Sequence, residues 1–133
     1  EIPAEFTCKG GGVNPPLQVQ GIPEGTKSLV VIVDDPDAPG GLFSHWLVWN
    51  IEPTLTDIGQ DSVPPGSVQG TNDFGKPGYG APCPPSGTHR YFFRFLALDQ
   101  KLTVKSGSNR ARLDQAMRGH VLARGEIMGR ASH

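Results

Sequence analysis

The sequence predicts a mainly β fold of short strands joined by shaped loops, with one helix near the C-terminus. Three observations lead there. The 18 glycines and 13 prolines, nearly a quarter of the 133 residues, follow no repeating period, which marks turns rather than a fibrous chain. Apolar runs of strand length, rich in β-branched and aromatic residues, alternate with these Gly/Pro segments. Only the stretch from Asn109 to about Leu122 carries apolar residues at helical spacing. A chain of this length fits one domain, residues 1–133, with a single buried core.

Taken in order, Glu1 to Asn14 reads as irregular and ends in the run Gly10-Gly11-Gly12. Pro15-Pro16 fixes the entry to a short strand from Leu17 to Gln20. After a Gly/Pro turn, the β-branched run Ser28–Val33 suits a central strand buried on both faces. Asp34 to Gly41 reads as a loop, and Ser44 to Ile51 as a second core strand carrying Trp46, Val48 and Trp49. The next 35 or so positions, Glu52 to Ser86, are rich in Pro, Gly, Asn and Asp. A loop so long inside a small domain points to function or to hidden elements. Tyr91–Leu98 is a third core strand, aromatic and apolar at nearly every position. Ser108 or Asn109 can cap the helix, whose apolar positions are Leu113, Met117, His120 and Val121. Glu126–Met128 is expected to add a short final strand, and His133 to be disordered.

Charge and composition exclude several functions. Residues 1–75 carry ten acids and two bases, and residues 76–133 ten bases and three acids. In a compact domain the two halves are expected to interleave; the alternative is a basic face around Arg110, Arg112, Arg118, Arg124 and Arg130. No aromatic residue is interleaved with those arginines, which argues against a nucleic-acid platform. The longest apolar run, Leu29–Val33, is far short of a membrane span. Cys8 and Cys83, outside any CxxC or metal spacing, are expected as reduced thiols of a cytoplasmic protein, with a single bridge left open. No signal-peptide pattern opens the chain, and export stays open because it begins at Glu1 without an initiator Met.

Three loops beside the core strands hold the residues that could carry chemistry. In Asp34-Asp35-Pro36-Asp37-Ala38-Pro39, two prolines in four positions fix φ and set the directions of Asp35 and Asp37. Ser44-His45-Trp46 stands at the mouth of a strand, and Cys83-Pro84-Pro85-Ser86-Gly87-Thr88-His89-Arg90-Tyr91 delivers His89 and Tyr91 to the aromatic strand. If those strands are neighbours, two carboxylates, two imidazoles and a phenol converge. Asp57, Asp61 and Asp73 lack such a setting and read as solvated loop residues, and His120 as a packed boundary histidine.

The motifs Asp35-Pro36-Asp37-Ala38-Pro39 and Gly87-Thr88-His89-Arg90-Tyr91, with His45-Trp46 between them, resemble the signature regions of the phosphatidylethanolamine-binding protein (PEBP) family. Asn14-Pro15-Pro16-Leu17, Asn72-Asp73-Phe74-Gly75-Lys76 and Pro82-Cys83-Pro84-Pro85 are similar to its short bacterial and archaeal, Raf-kinase-inhibitor-like branch. The resemblance runs from about Phe6 to Arg130. It implies a large antiparallel sheet packed on a smaller one, and a ligand pocket formed by Asp35, Asp37, His45, Cys83, Pro85, His89 and Tyr91. It also implies a small anionic or phosphorylated ligand and a cis bond at Ala38-Pro39; with no metal-ligand spacing in the sequence, no cofactor or metal is expected. Bacterial relatives are often homodimers, which the Trp and Phe content of this chain permits. The C-terminal helix and tyrosine that close one side of the pocket in mammalian relatives are expected to have no counterpart before His133, and the family's opening strand to be missing or shortened before Glu1.

Two carboxylates beside an anion call for compensation. Histidines protonated against aspartates supply it, with His45 and His89 paired to Asp35 and Asp37 and Tyr91 donating its hydroxyl. Catalysis is not expected: Ser44 and His45 are neighbours on a strand and so point to opposite faces, and no nucleophile elbow, P-loop or metal motif is present. The family also includes protease inhibitors and kinase modulators. An alternative function is therefore docking to a serine protease or a kinase through the Pro/Gly-rich loops Glu52–Ser67 or Asn72–Gly80.

Overall fold

A computed structural model describes all residues 1–133. Its order is a short 3-10 turn (Ala4–Phe6), β1 (Leu17–Gln18), β2 (Ser28–Asp35), β3 (Phe43–Ile51), β4 (Asp57–Ile58), β5 (Val68–Gln69), β6 (Thr88–Leu98), α1 (Arg110–Met117) and β7 (Val121–Ser132). Five strands form one antiparallel sheet in the order β5-β3-β2-β6-β7, and β1 pairs with β4 in a smaller one.

β2 lies at the centre with all 8 residues buried, which explains why its sequence is apolar without alternation. Leu29, Val31 and Val33 join Trp46, Val48, Tyr91, Phe93 and Phe95 on one face, covered by the small sheet and the N-terminal segment. Val30 and Ile32 join Leu47, Trp49, Leu96 and Leu98 on the other, under Leu113 and Met117 of α1. A strand covered on both sides has no polar face to present. The sheet begins and ends its strands beside the three loops noted above, so that Asp35, His45, His89 and Tyr91 meet at one rim.

Several expectations are corrected. All peptide bonds are trans, including Ala38-Pro39. β2 continues through Asp34 and Asp35, because both still pair with β3 and β6 or β3 alone. The helix is shorter than its apolar spacing suggests: Asn109 Oδ1 caps it by accepting from Arg112 N–H, and it stops at Met117, before Gly119 at φ 81°. His120 lies beyond it and meets Asp99 at 2.9 Å. The final strand is 12 residues long, paired with β6 along its length, and His133 is held by Gly87 and Pro84. The long Glu52–Ser86 connection hides β4 and β5. Trp46 and Trp49 are fully buried, so neither offers an exposed apolar face.

Cys8 and Cys83 are joined by a disulfide across 75 positions, contrary to the expectation of free thiols. The Cys8 N–H also donates to the Pro82 carbonyl and Tyr79 Oη to the Phe6 carbonyl, so the N-terminal segment is bound to the loop before β6. The two charge halves interleave as expected: Arg90 meets Asp37, Arg94 and Arg110 meet Asp34, and Lys101 meets Glu52. Arg110 is therefore part of an internal network rather than of a basic face.

Candidate functional site

A cavity of about 170 Å³ opens at the rim of the large sheet, lined by Asp35, Ala38, Pro39, Phe43, His45, Phe74, Cys83, Pro85, His89 and Tyr91. Antiparallel pairing of β2 with β3 and β6 puts the end of β2 between the starts of its two neighbours. That register is what brings together residues 54 positions apart in sequence. Asp35, His45, His89 and Tyr91 are all at least nine-tenths buried.

Both Asp35 oxygens are engaged: Oδ2 lies 2.6 Å from His89 Nδ1, and Oδ1 accepts from the Asp37 N–H at 2.7 Å. With a carboxylate at Nδ1, His89 carries a proton there and keeps Nε2 for a further partner. Asp37 turns away from the cavity. Its oxygens accept from the Arg90 backbone N–H, Nε and Nη2, each at 2.9 Å. These bonds hold the Asp37 carboxyl well below the usual carboxylate range. Asp37 thus braces the loop, and the expected pairing of two histidines with two aspartates is replaced by His89–Asp35 and Arg90–Asp37.

His45 has no carboxylate bonded to it. Its Nδ1 lies 2.7 Å from the Gly80 carbonyl, and the Gly80 N–H donates back to the His45 carbonyl at 2.7 Å. Only glycine fits at position 80, since a Cβ there would collide with the Phe74 ring. Burial pushes the His45 pKa down, against the pull of the Gly80 carbonyl and nearby carboxylates. The ring is then neutral, with Nδ1–H donating to Gly80 and Nε2 left as an acceptor. Tyr91 is pushed above its ordinary value by burial first and the Asp35 carboxylate second, so its phenol stays protonated.

Two aromatic residues escaped the sequence reading. Phe43 and Phe74 stand against His45 with ring centroids 4.9 and 5.4 Å away, and against each other at 4.8 Å; Tyr91 closes the set at 5.2 Å from His45. Phe74 is half exposed, held out by a loop folded around the buried Asn72. That side chain donates to the Gly78 carbonyl and accepts from the Phe74 and Lys76 N–H groups. An exposed Phe in an Asn/Gly-rich loop with no strand pattern was the available signal. Asp73, read as solvated, accepts from the Ser44 N–H at 2.7 Å and so anchors the start of β3. The Ser44 hydroxyl is on the other face of the sheet, 3.2 Å from Arg110, so Ser44 and His45 form no nucleophile–base pair.

The family model described as phosphatidylethanolamine-binding protein matches residues 1–132. The chain belongs to the phosphatidylethanolamine-binding protein family. Within the PEBP family it is 49% identical over 137 residues to UPF0098 protein PH1269 of Pyrococcus horikoshii, covering 96% of this chain and 69% of that protein. It superposes on the PEBP homologue CT736 of Chlamydia trachomatis with a TM-score of 0.95 at 40% identity, covering 99% of this chain and 89% of that one. E. coli YbcL, a member of the mammalian PEBP family, matches with a TM-score of 0.88 at 41% identity, over 96% and 85% of the two chains. The mainly β PEBP fold expected from the motifs is therefore the fold of this chain, and PEBP membership makes it a binding protein. No helix is long and apolar enough to cross a membrane.

Proposed function

We propose that the cavity binds a small anion, either a phosphate, a phosphoethanolamine or a carboxylate, without transforming it. The observation that carries this reading is the Asp35–His89 bond at 2.6 Å within the cavity wall. Both Asp35 oxygens are already occupied by N–H donors, so its charge serves to orient and polarise His89 rather than to repel a ligand. His89 Nε2 and the Tyr91 hydroxyl, which stands beside the Asp35 carboxylate, offer hydrogen bonds to the ligand, and His45 Nε2 adds an acceptor. The cavity lining contains no Arg or Lys, which predicts modest affinity for a bare anion. A cationic tail on the ligand would have the ring wall of Phe43, Phe74, His45 and Tyr91 beside it, a setting that attracts ammonium groups. The volume suits a headgroup and not acyl chains. The separation of Ser44 from His45 supports binding over catalysis.

Calorimetric titration of wild type and His89→Ala with phosphate and O-phosphorylethanolamine at about pH 6 tests this reading. Binding by wild type that falls at least about tenfold in the variant supports it, as expected for a lost charge-assisted bond. Equal binding by both proteins, or none by either, refutes it. Tighter binding of O-phosphorylethanolamine than of phosphate, reduced in Phe74→Ala, would assign the ammonium to the aromatic wall.

A further inference from the structure

A second cavity, of about 240 Å³, shares no lining residue with the first. A bulge in β3 sets the two side by side. Val33 pairs with Trp46 and Asp34 with Ser44, so His45 is the extra residue, lining the first cavity while Trp46 lines the second. The segment Gly78-Tyr79-Gly80 runs between them: Gly80 holds His45 by the paired bonds described above, and Gly78 and Tyr79 line the second cavity.

The polar part of this lining is built in advance. Asn14 is buried and spends its side chain on one turn: Oδ1 accepts from the Ser62 N–H at 3.0 Å, and Nδ2 donates to the Gly59 carbonyl at 3.1 Å. The Asn14 carbonyl accepts from the Asp61 N–H at 3.0 Å. Asp61 is thereby held at φ 51°, a left-handed conformation that few side chains accept and that Asp and Asn tolerate. Only the backbone N–H groups of Asp61 and Ser62 are used in these bonds; the carboxylate and the hydroxyl bond to nothing in the chain. The apolar part is equally defined. Tyr79 gives its hydroxyl to the Phe6 carbonyl, and Trp46 gives Nε1 to Gln69 Oε1 at 2.8 Å. Both aromatics therefore bring ring carbon to the cavity, meeting edge to face at 5.7 Å, and Val13 and the half-exposed Val63 complete the wall.

We propose that this second cavity binds a compact primary ammonium with an apolar body. The ammonium donates to the Asp61 carboxylate and the Ser62 hydroxyl, and the body lies against Val13, Val63 and the Tyr79 ring. Charge decides the class. The lining holds one carboxylate and no Arg, Lys or His, so an anion meets repulsion there. In the first cavity the Asp35 charge is occupied by His89 and the Asp37 N–H, whereas that of Asp61 is open. Size sets the scale of the body. A cavity of about 150 Å³ holds benzene, so this one admits a ring with an aminomethyl arm. The aromatic neighbours add to the attraction for the cation.

Amide NMR titration with benzylammonium, benzyl alcohol and benzoate, molecules of one shape and different charge, tests the site at neutral pH and low salt. Benzylammonium is expected to shift the Val13, Ser62 and Gly78 amides saturably and to bind there more tightly than the alcohol, with benzoate weakest. Asp61→Asn keeps a residue that accepts the left-handed turn. It should weaken benzylammonium about three- to fivefold, the range of a solvated ion pair, and leave the alcohol unchanged. Val63→Trp should fill the space and abolish both, and because Val63 is half exposed this variant should melt like wild type. Benzylammonium that binds no better than the alcohol or benzoate overturns the proposal, as does an affinity indifferent to Asp61→Asn. Shifts confined to Phe43, Phe74 and Tyr91 would assign the ammonium to the first cavity and overturn it equally. Phosphate binding at His89 bears on none of these outcomes, so the two cavities are tested apart.

Discussion

Asp35 and Asp37 stand two positions apart, yet one carboxylate braces an imidazole in the cavity and the other holds a guanidinium outside it. The sequence made both candidates, because an Asp-Pro-Asp turn fixes directions without saying which cation lies in each. Arg90, between His89 and Tyr91, was legible as a residue but not as the partner of Asp37. The difference has a pH signature. Asp37 has a folded pKa below its ordinary value of 3.8, so its contribution to stability is present above that value and is lost as pH falls through the folded one. The Tm deficit of Asp37→Asn relative to wild type should therefore shrink only below about pH 4. The deficit should be small, since the pair is solvent-exposed, and thermal melts from neutral to acid pH would read it. His45 behaves with the same sign in another window. Its burial holds the folded pKa below 6.5, so stability from the neutral ring is full above that value and declines as pH drops beneath it. His45→Gln should flatten the loss of Tm on going from neutral pH to about pH 5, where unfolded histidine gains its proton; an unchanged slope would mean that other groups govern it.

At the scale of elements, what the sequence revealed follows burial. β2, β3 and β6 carry their apolar and aromatic residues where both faces of the sheet are covered, and all three were legible to within a few residues. β7 was not: Gly125, Gly129, Arg124 and Arg130 suit an exposed edge, and the long pairing with β6 that makes it a strand is absent from its local pattern. The helix was overextended because Val121 and Leu122 continue the apolar spacing, although Gly119 turns the chain into β7. Helix α1 is tied to the sheet by Arg110 as well as by the packing of Leu113 and Met117. Arg110 reaches the buried Asp34 at 2.8 Å beside Arg94 at 3.2 Å, tying the helix to the strand that ends in the cavity. Removing it leaves a buried carboxylate with half its cations, and Arg110→Ala should cost about 1–3 kcal/mol in urea denaturation. A cost near zero would show that water takes the place of the guanidinium. Asn109→Ala, which removes only the helix cap, should cost about 1 kcal/mol.

Across the whole molecule, the aspect least readable from the chain was the Cys8–Cys83 bridge, because a spacing of 75 residues says nothing about separation in space. It forms because the loop before β6 is folded back on the N-terminal segment by the Tyr79 and Cys8 hydrogen bonds. Cross-linking so long a loop restricts the unfolded chain, and Cys8→Ser/Cys83→Ser should lose about 2–4 kcal/mol. Equilibrium unfolding of the oxidised and reduced protein would check that figure. The bridge carries a further consequence under mechanical load. Pulled from its two ends, the chain can pay out only the residues outside the loop. The 75-residue span that contains β1 to β5 and the bracing aspartates stays slack. Roughly 260 Å of contour length, at about 3.5 Å per residue, is thereby hidden from an applied force. Stretching single molecules before and after adding a reductant should reveal that length as a step that only the reduced protein takes.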